Sequence, residues 1–207
     1  MVCCAHGDAL HRPSEGHRLA RNPFSAIIAP RPIGWIGTLT TDGRRNLAPY
    51  SFCSALNYTP PLVGFSSIER KHTLANIEAT GEFTWNLVTR TLAAQMNATS
   101  TSDDVDEFDR AGLQSAESIE IDAPRVAASP VSFECRLSDL INMRDASGQA
   151  TTALLTIGEV VAVHIDDRFL INGVYDTANA DPVLCGGGLT AYFGISADLR
   201  FDLRRPG

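Results

Sequence analysis

Residues 66–73, Ser-Ser-Ile-Glu-Arg-Lys-His-Thr, place two hydroxyls, a guanidinium and an ammonium directly ahead of an apolar-periodic stretch. A helix opening at Thr73 adds free backbone N–H groups and the positive end of its dipole. A phosphate monoester, with nearly two charges and three acceptor oxygens, needs this mixture of fixed donors and cations. The same spacing also fits an ordinary capped helix after a solvated charged turn, and spacing alone does not separate the two.

The rest of the chain narrows the choice of anion. Neither G-x-G-x-x-G nor G-x-x-x-x-G-K-[ST] occurs, and Cys-Gly-Gly-Gly-Leu at 185–189 has neither spacing, so dinucleotide and triphosphate loops are set aside. A net charge of −7 argues against nucleic acid or an anionic membrane as the main partner. A local basic nest on an acidic protein points instead to a small anionic ligand.

Five cysteines (Cys3, Cys4, Cys53, Cys135, Cys185) are an odd number without zinc-like spacing, which fits a reducing, cytoplasmic compartment. His6, His11 and His17 are five and six apart and fit no helix face, so no metal site is expected. Residues 1–20 read as a flexible polar tail without the apolar core of a signal peptide. Residues 21–207 read as one domain, and 44% apolar content is ordinary for a globular chain.

Alternation and turn chemistry then supply the elements. Residues 32–56 read as two strands joined at Asp42–Gly43. A short apolar strand follows Pro60–Pro61. Thr73 is expected to cap a helix that Gly81 ends. In Glu82–Val88, Phe83, Trp85 and Leu87 share one face, and Thr84 and Asn86 the other. Residues 91–100 look helical, as do 102–113, with Asp103 or Asp104 near the second helix's positive end. Val131, Phe133, Cys135 and Leu137 alternate inward, a turn spans Asp145–Gly148, and 151–165 is a long β-branched strand. Residues 168–173 suggest a short strand, and a glycine-rich loop runs into aromatics near the end. Six or seven strands with helices in the middle predict a mainly β protein, an antiparallel barrel with helical insertions.

The ordered set Pro-Arg-Pro-Ile (30–33), Asn-Leu-Ala-Pro-Tyr-Ser-Phe (46–52), Pro-Pro-Leu-Val (60–63) and Ser-Ser with Arg-Lys-x-Thr (66–73) closely resembles the flavin reductase-like, FMN-binding split-barrel family. That family includes flavoredoxin-like proteins and reductase components of two-component monooxygenases. The likeness covers about residues 21–196. It implies an antiparallel split β-barrel, a homodimer with FMN near the subunit interface, and NADH or NADPH as electron donor. A flavin-dependent monooxygenase partner would also be consistent with it. By resemblance, Ser67, Arg70, Lys71 and Thr73 take the phosphate, and Thr38, Asn46 and Ser51 lie near the ribityl chain or the polar ring edge. Backbone around Trp35–Ile36 and Phe52–Cys53–Ser54 lines the ring. Relatives usually carry Asp where His72 stands, and commonly Phe-Asn where Cys53–Ser54 stand.

In such a protein the flavin carries the chemistry, so no side chain is nominated as catalytic. Trp35 and Trp85 read as core, Cys53 as packing, His164 as a surface residue at a strand end, and the acidic run at 103–109 as a solvated helix face. Tyr192 suits core packing as well as a flavin contact. Three functions share these expectations: an NAD(P)H-dependent flavin reductase, an FMN electron carrier or terminal reductase, and a non-catalytic flavin store or sensor.

Overall fold

A computed structural model describes residues 2–3, 9–188 and 190–206. Cys4, His6 and Leu189 lie outside them. Seven strands build the main sheet: β1 (Gly34–Leu39), β2 (Arg45–Tyr50), β3 (Cys53–Tyr58), β4 (Pro61–Ile68), β5 (Glu82–Asn86), β6 (Val131–Arg144) and β7 (Ala150–Ile165). Their spatial order is β2-β1-β5-β6-β7-β4-β3, and every pairing is antiparallel. Three helices interrupt them: α1 (His72–Thr80), α2 (Ala93–Ala98) and α3 (Glu107–Arg110).

The sheet curls until its ends meet. The two edge strands β2 and β3 are joined through Ser51 and Phe52 alone, and across the closure the Tyr50 ring of β2 lies 4.6 Å from the Phe65 ring of β4. Inside the curl, Ile36, Tyr50, Val63, Phe65, Ile77, Phe83 and Cys135 form one apolar core. Trp35, one residue from Ile36, points the opposite way into a second core with Leu47, Met96 and Phe108. Strand β1 is therefore buried on both faces, between barrel and helices.

The turns form where their chemistry places them. Gly43 closes the β1–β2 hairpin at φ 89°, and Gly81 ends α1 in the left-handed region at φ 75°. The Asp145 N–H donates to Gln149 O at 2.9 Å across the β6–β7 turn. Residues 170–175 form a small hairpin rather than a single strand, and Leu184–Cys185 pairs with both Tyr192–Phe193 and Arg31–Pro32.

Two local expectations are corrected. Lys71, not Thr73, occupies the N-cap of α1, and Thr73 lies buried inside its first turn. The second helix expected over 102–113 contracts to α3, whose cap is Asp106, accepting from the Phe108 and Asp109 N–H groups. The Thr84 and Asn86 face of β5 is buried as well: Thr84 Oγ1 donates to Pro124 O at 2.7 Å, and Asn86 Oδ1 accepts from the Val126 N–H at 2.9 Å. Segment 117–126 covers that face and turns an alternating strand into one buried on both sides. Among the described residues no helix is long and apolar enough to cross a membrane.

Candidate functional site

The phase of β4 decides which groups of residues 63–73 face a ligand. Val63, Phe65 and Ser67 point into the barrel, so Gly64, Ser66 and Ile68 point out. Ser67 is 1% exposed and its hydroxyl donates to Glu69 O at 2.8 Å. Thr73 is equally buried, and its hydroxyl donates to Asn46 Oδ1 at 2.9 Å. Both hydroxyls are already engaged. Ser66 Oγ faces outward and meets only the Met143 sulfur at 3.8 Å, a weak acceptor. It is the freer donor; both serines were read as part of the nest, and the resemblance gave the phosphate to Ser67 alone of the two.

Past Ser67 the backbone turns sharply. Glu69 sits at φ 71°, a left-handed conformation that a non-glycine residue rarely adopts, and its N–H donates to Thr152 O at 2.9 Å. The turn delivers exposed Arg70 and Lys71 to the mouth of α1, where His72, Thr73 and Leu74 present first-turn amides without intrahelical partners. Arg70 is paired with Glu78 one helical face along.

Beneath this nest lies a polar network that sequence spacing did not reveal. Thr38 Oγ1 and Thr73 Oγ1 both donate to Asn46 Oδ1, Asn76 Nδ2 donates to Thr38 Oγ1 at 3.0 Å, and Asn46 Nδ2 donates to Glu107. Thr38 and Asn46 are internal struts that fix the first turn of α1 against β1 and β2. Glu107, expected on a solvated face, is 2% exposed, and burial pushes its carboxyl above the ordinary value despite the bonds it accepts. The Tyr50 hydroxyl is also buried and has no partner among the described residues; burial raises its pKa, partly offset by the nearby Thr73 and Ser67 hydroxyls.

On the outer face of β3, β4 and β7 a pocket of about 490 Å³ is walled by Ile27, Ile28, Arg31, Phe52, Leu56 and Leu155. Cys53, Ser54 and Gly64 complete its floor. A Cβ on Gly64 would come within 2.5 Å of Leu56 Cδ1, so the bare backbone here keeps the floor open. From Gly64 to Ser67 is about 10 Å along the strand at 3.3 Å per residue. One strand thus runs from an apolar pocket of ligand size to an anion nest.

The expected ring-lining residues divide between the two layers. Phe52, Cys53 and Ser54 line the pocket. Trp35 and Ile36 do not: the Trp35 indole donates to Thr99 Oγ1 at 2.9 Å in the helical core, and Ile36 fills the barrel. Ser51 is half-buried and its carbonyl accepts from Arg31 Nε at 3.1 Å. Burial pushes the Cys53 thiol up to about 11, so it stays neutral. Trp85 stacks on Phe133 with centroids 4.8 Å apart. Among the described residues no three His, Cys, Asp or Glu side chains are grouped to hold a metal.

The cationic helix mouth and the apolar pocket are joined by one strand, β4, and comparison with known proteins shows the family to which this arrangement belongs. An uncharacterized protein of Bacillus subtilis, YwrF, is 34% identical over 159 residues, covering 74% of this chain and 75% of its own. Nitrilotriacetate monooxygenase component B from Bacillus cereus superposes with a TM-score of 0.79 at 26% identity, over 89% of this chain and 99% of that one. A Shewanella frigidimarina protein described as a flavin reductase with a split barrel domain gives 0.77 at 27% identity, over 95% of both chains. The family model named flavin reductase like domain matches residues 27–179. This chain belongs to the flavin reductase-like family, and its curled antiparallel sheet is a split barrel.

Proposed function

We propose that the protein binds FMN and passes electrons from NADH or NADPH to it as a flavin reductase. One observation supports this most: strand β4 passes an apolar, ring-sized pocket at Gly64 and then leads, through Ser66 and Ser67, into the cationic helix mouth at Arg70 and Lys71. The donor set fits the cofactor. Arg70, Lys71, Ser66 and the first amides of α1 would hold the phosphate, while Phe52, Cys53, Ser54 and Gly64 would seat the ring. Of the residues named by resemblance, Ser67 and Thr73 would contribute through their backbones and their hold on the turn. Thr38 and Asn46 would keep the helix mouth in place, and Trp35 and Ile36 would support the sheet behind it.

When bound, the flavin supplies a hydride acceptor at N5. The chain's part is placement: the cations neutralise the phosphate, the Gly64 floor admits the ring, and the apolar walls exclude water. No side-chain acid or base is needed for hydride transfer. Leu56 on the pocket wall is exposed, as are Ile68 on β4 and Tyr58 at the end of β3, the last by 93%, which suits coverage by a second copy in a homodimer. An oxygenase that consumes the reduced flavin would be the further partner.

Purified protein is expected to hold FMN with quenched fluorescence and to bleach under anaerobic conditions when NADH or NADPH is added. A bound flavin that neither nicotinamide reduces would leave the electron carrier or the storage protein as the function.

A further inference from the structure

Arg31 is a buried cation with no acid beside it. It is 8% exposed, the one arginine so buried among the described residues, and takes part in none of their ion pairs. Its Nε donates to Ser51 O at 3.1 Å, Nη1 to Ile28 O at 2.6 Å and to Ser25 O, and Nη2 to Cys185 Sγ at 3.3 Å. The Phe52 ring lies 5.4 Å from the guanidinium carbon. Carbonyl dipoles and a ring face solvate a cation without cancelling its charge. A buried charge left uncompensated is costly, and its presence in a pocket wall calls for an anionic occupant.

The pocket around it is otherwise neutral. Its other walls are Ile27, Ile28, Leu56, Leu155 and the Phe52 ring, and the Cys53 thiol stays protonated. The titratable groups on Arg31's far side are Cys185, in contact with it, and Tyr192, whose phenol is raised by burial and then by Cys185. Among the described residues no carboxylate lines this pocket or pairs with Arg31. The complementary ligand is a flat apolar body with one anionic edge.

We propose that this edge is the pyrimidine side of two-electron-reduced FMN, and that Arg31 keeps the bound reduced flavin a monoanion. The proposal rests on the FMN reading above. A hydride brings two electrons and one proton, the proton staying at N5. The negative charge that appears on the pyrimidine ring is balanced by Arg31 instead of by a second proton. Arg31 is therefore a positioning and charge-balancing residue of the site that the Pro-Arg-Pro motif carries.

The test is the pH dependence of the midpoint potential, measured by spectroelectrochemical titration of the FMN–protein complex beside free FMN. Uptake of one proton per two electrons gives a slope of about 30 mV per pH unit, and two protons about 59 mV. Bound FMN is expected to keep the shallow slope well below the pH at which free FMN steepens. Arg31→Lys should retain it, and Arg31→Met should move the steepening up by at least one pH unit. If the wild-type complex steepens at the same pH as free FMN, the role of Arg31 is overturned, whether or not the variants fold. Failure of the protein to quench FMN fluorescence would bring down the cofactor reading itself, and this proposal with it.

Discussion

Asn46 and Glu107 are 61 positions apart in sequence and joined inside the molecule, with Asn46 Nδ2 donating to both carboxylate oxygens at 3.0 Å. The Leu47 N–H donates to the same carboxylate at 3.1 Å. Through Asn46 Oδ1 the link reaches Thr73 and hence the mouth of α1. A carboxylate on a four-residue helix therefore helps to set where the nest's amides point.

Removing that carboxylate should cost stability in a way that depends on pH. Glu107→Ala strands two buried donors and is expected to destabilise by about 2–4 kcal/mol, with Glu107→Gln milder because one acceptor remains. Burial raises the native pKa, so the folded chain binds this proton more tightly than the unfolded one. The carboxyl's contribution accordingly weakens as pH rises from its ordinary 4.5 through the raised value. Urea melts across pH 4–8 should show that slope in the wild type and lose it in Glu107→Gln. An unchanged slope would mean the carboxyl titrates normally.

Phosphate binding should divide between Arg70 and Lys71, but not equally. Each cation lost to alanine is expected to weaken FMN binding by about 1.5–3 kcal/mol, while riboflavin, which lacks the phosphate, is unaffected. Arg70 begins in an exposed pair with Glu78, and such pairs are worth at most about 1 kcal/mol. Glu78→Gln should release Arg70 and tighten FMN by up to about fivefold at low salt. Calorimetric titration with both flavins checks all three variants. Equal losses for FMN and riboflavin would place the phosphate elsewhere.

The ring pocket makes the complementary prediction. At Gly64 an added Cβ meets the tip of Leu56, a flexible side chain that can shift, so Gly64→Ala should fold normally. The displaced Leu56 then encroaches on the pocket floor. FMN and riboflavin affinities are both expected to fall, by roughly tenfold or about 1.4 kcal/mol, with the melting temperature little changed. Loss of FMN alone would contradict this placement of the ring.

What the sequence made legible follows from how local each signal is. Asp42–Gly43, Gly81 and Asp145–Gly148 lie where the chain turns, because turn and cap chemistry is decided within four residues. The phase of β4 was available too: with Val63 and Phe65 inward, alternation sends Ser67 in and Ser66 out. The pocket was not legible, because Ile27, Arg31, Leu56 and Leu155 meet only through the sheet order β7-β4-β3 and the pairing of Arg31–Pro32 with Leu184–Cys185. Glu107 was hidden for another reason. In a run of acids, composition says solvent, and only tertiary contact with Asn46 shows which carboxylate turns inward.

His164 belongs to the same class of hidden partner. It is half-buried at the end of β7, with Nε2 2.5 Å from Oε1 of Glu134, a fully buried carboxylate that also accepts from the Ile119 and Glu120 N–H groups at 2.9 and 2.7 Å. Burial alone would raise the Glu134 pKa, but His164 and the two amides outweigh it and leave it below 4.5. The native state therefore releases this proton more readily than the unfolded chain. Its stabilisation is present above 4.5 and is lost as pH falls through the native value. Glu134→Gln should cost about 3 kcal/mol at pH 7, freeing segment 117–125 from the sheet, and the gap to wild type should narrow in acid. Paired denaturation curves at pH 7 and pH 3.5 read both effects, and a gap that stays constant between them would show that the carboxylate charge is not what holds the segment.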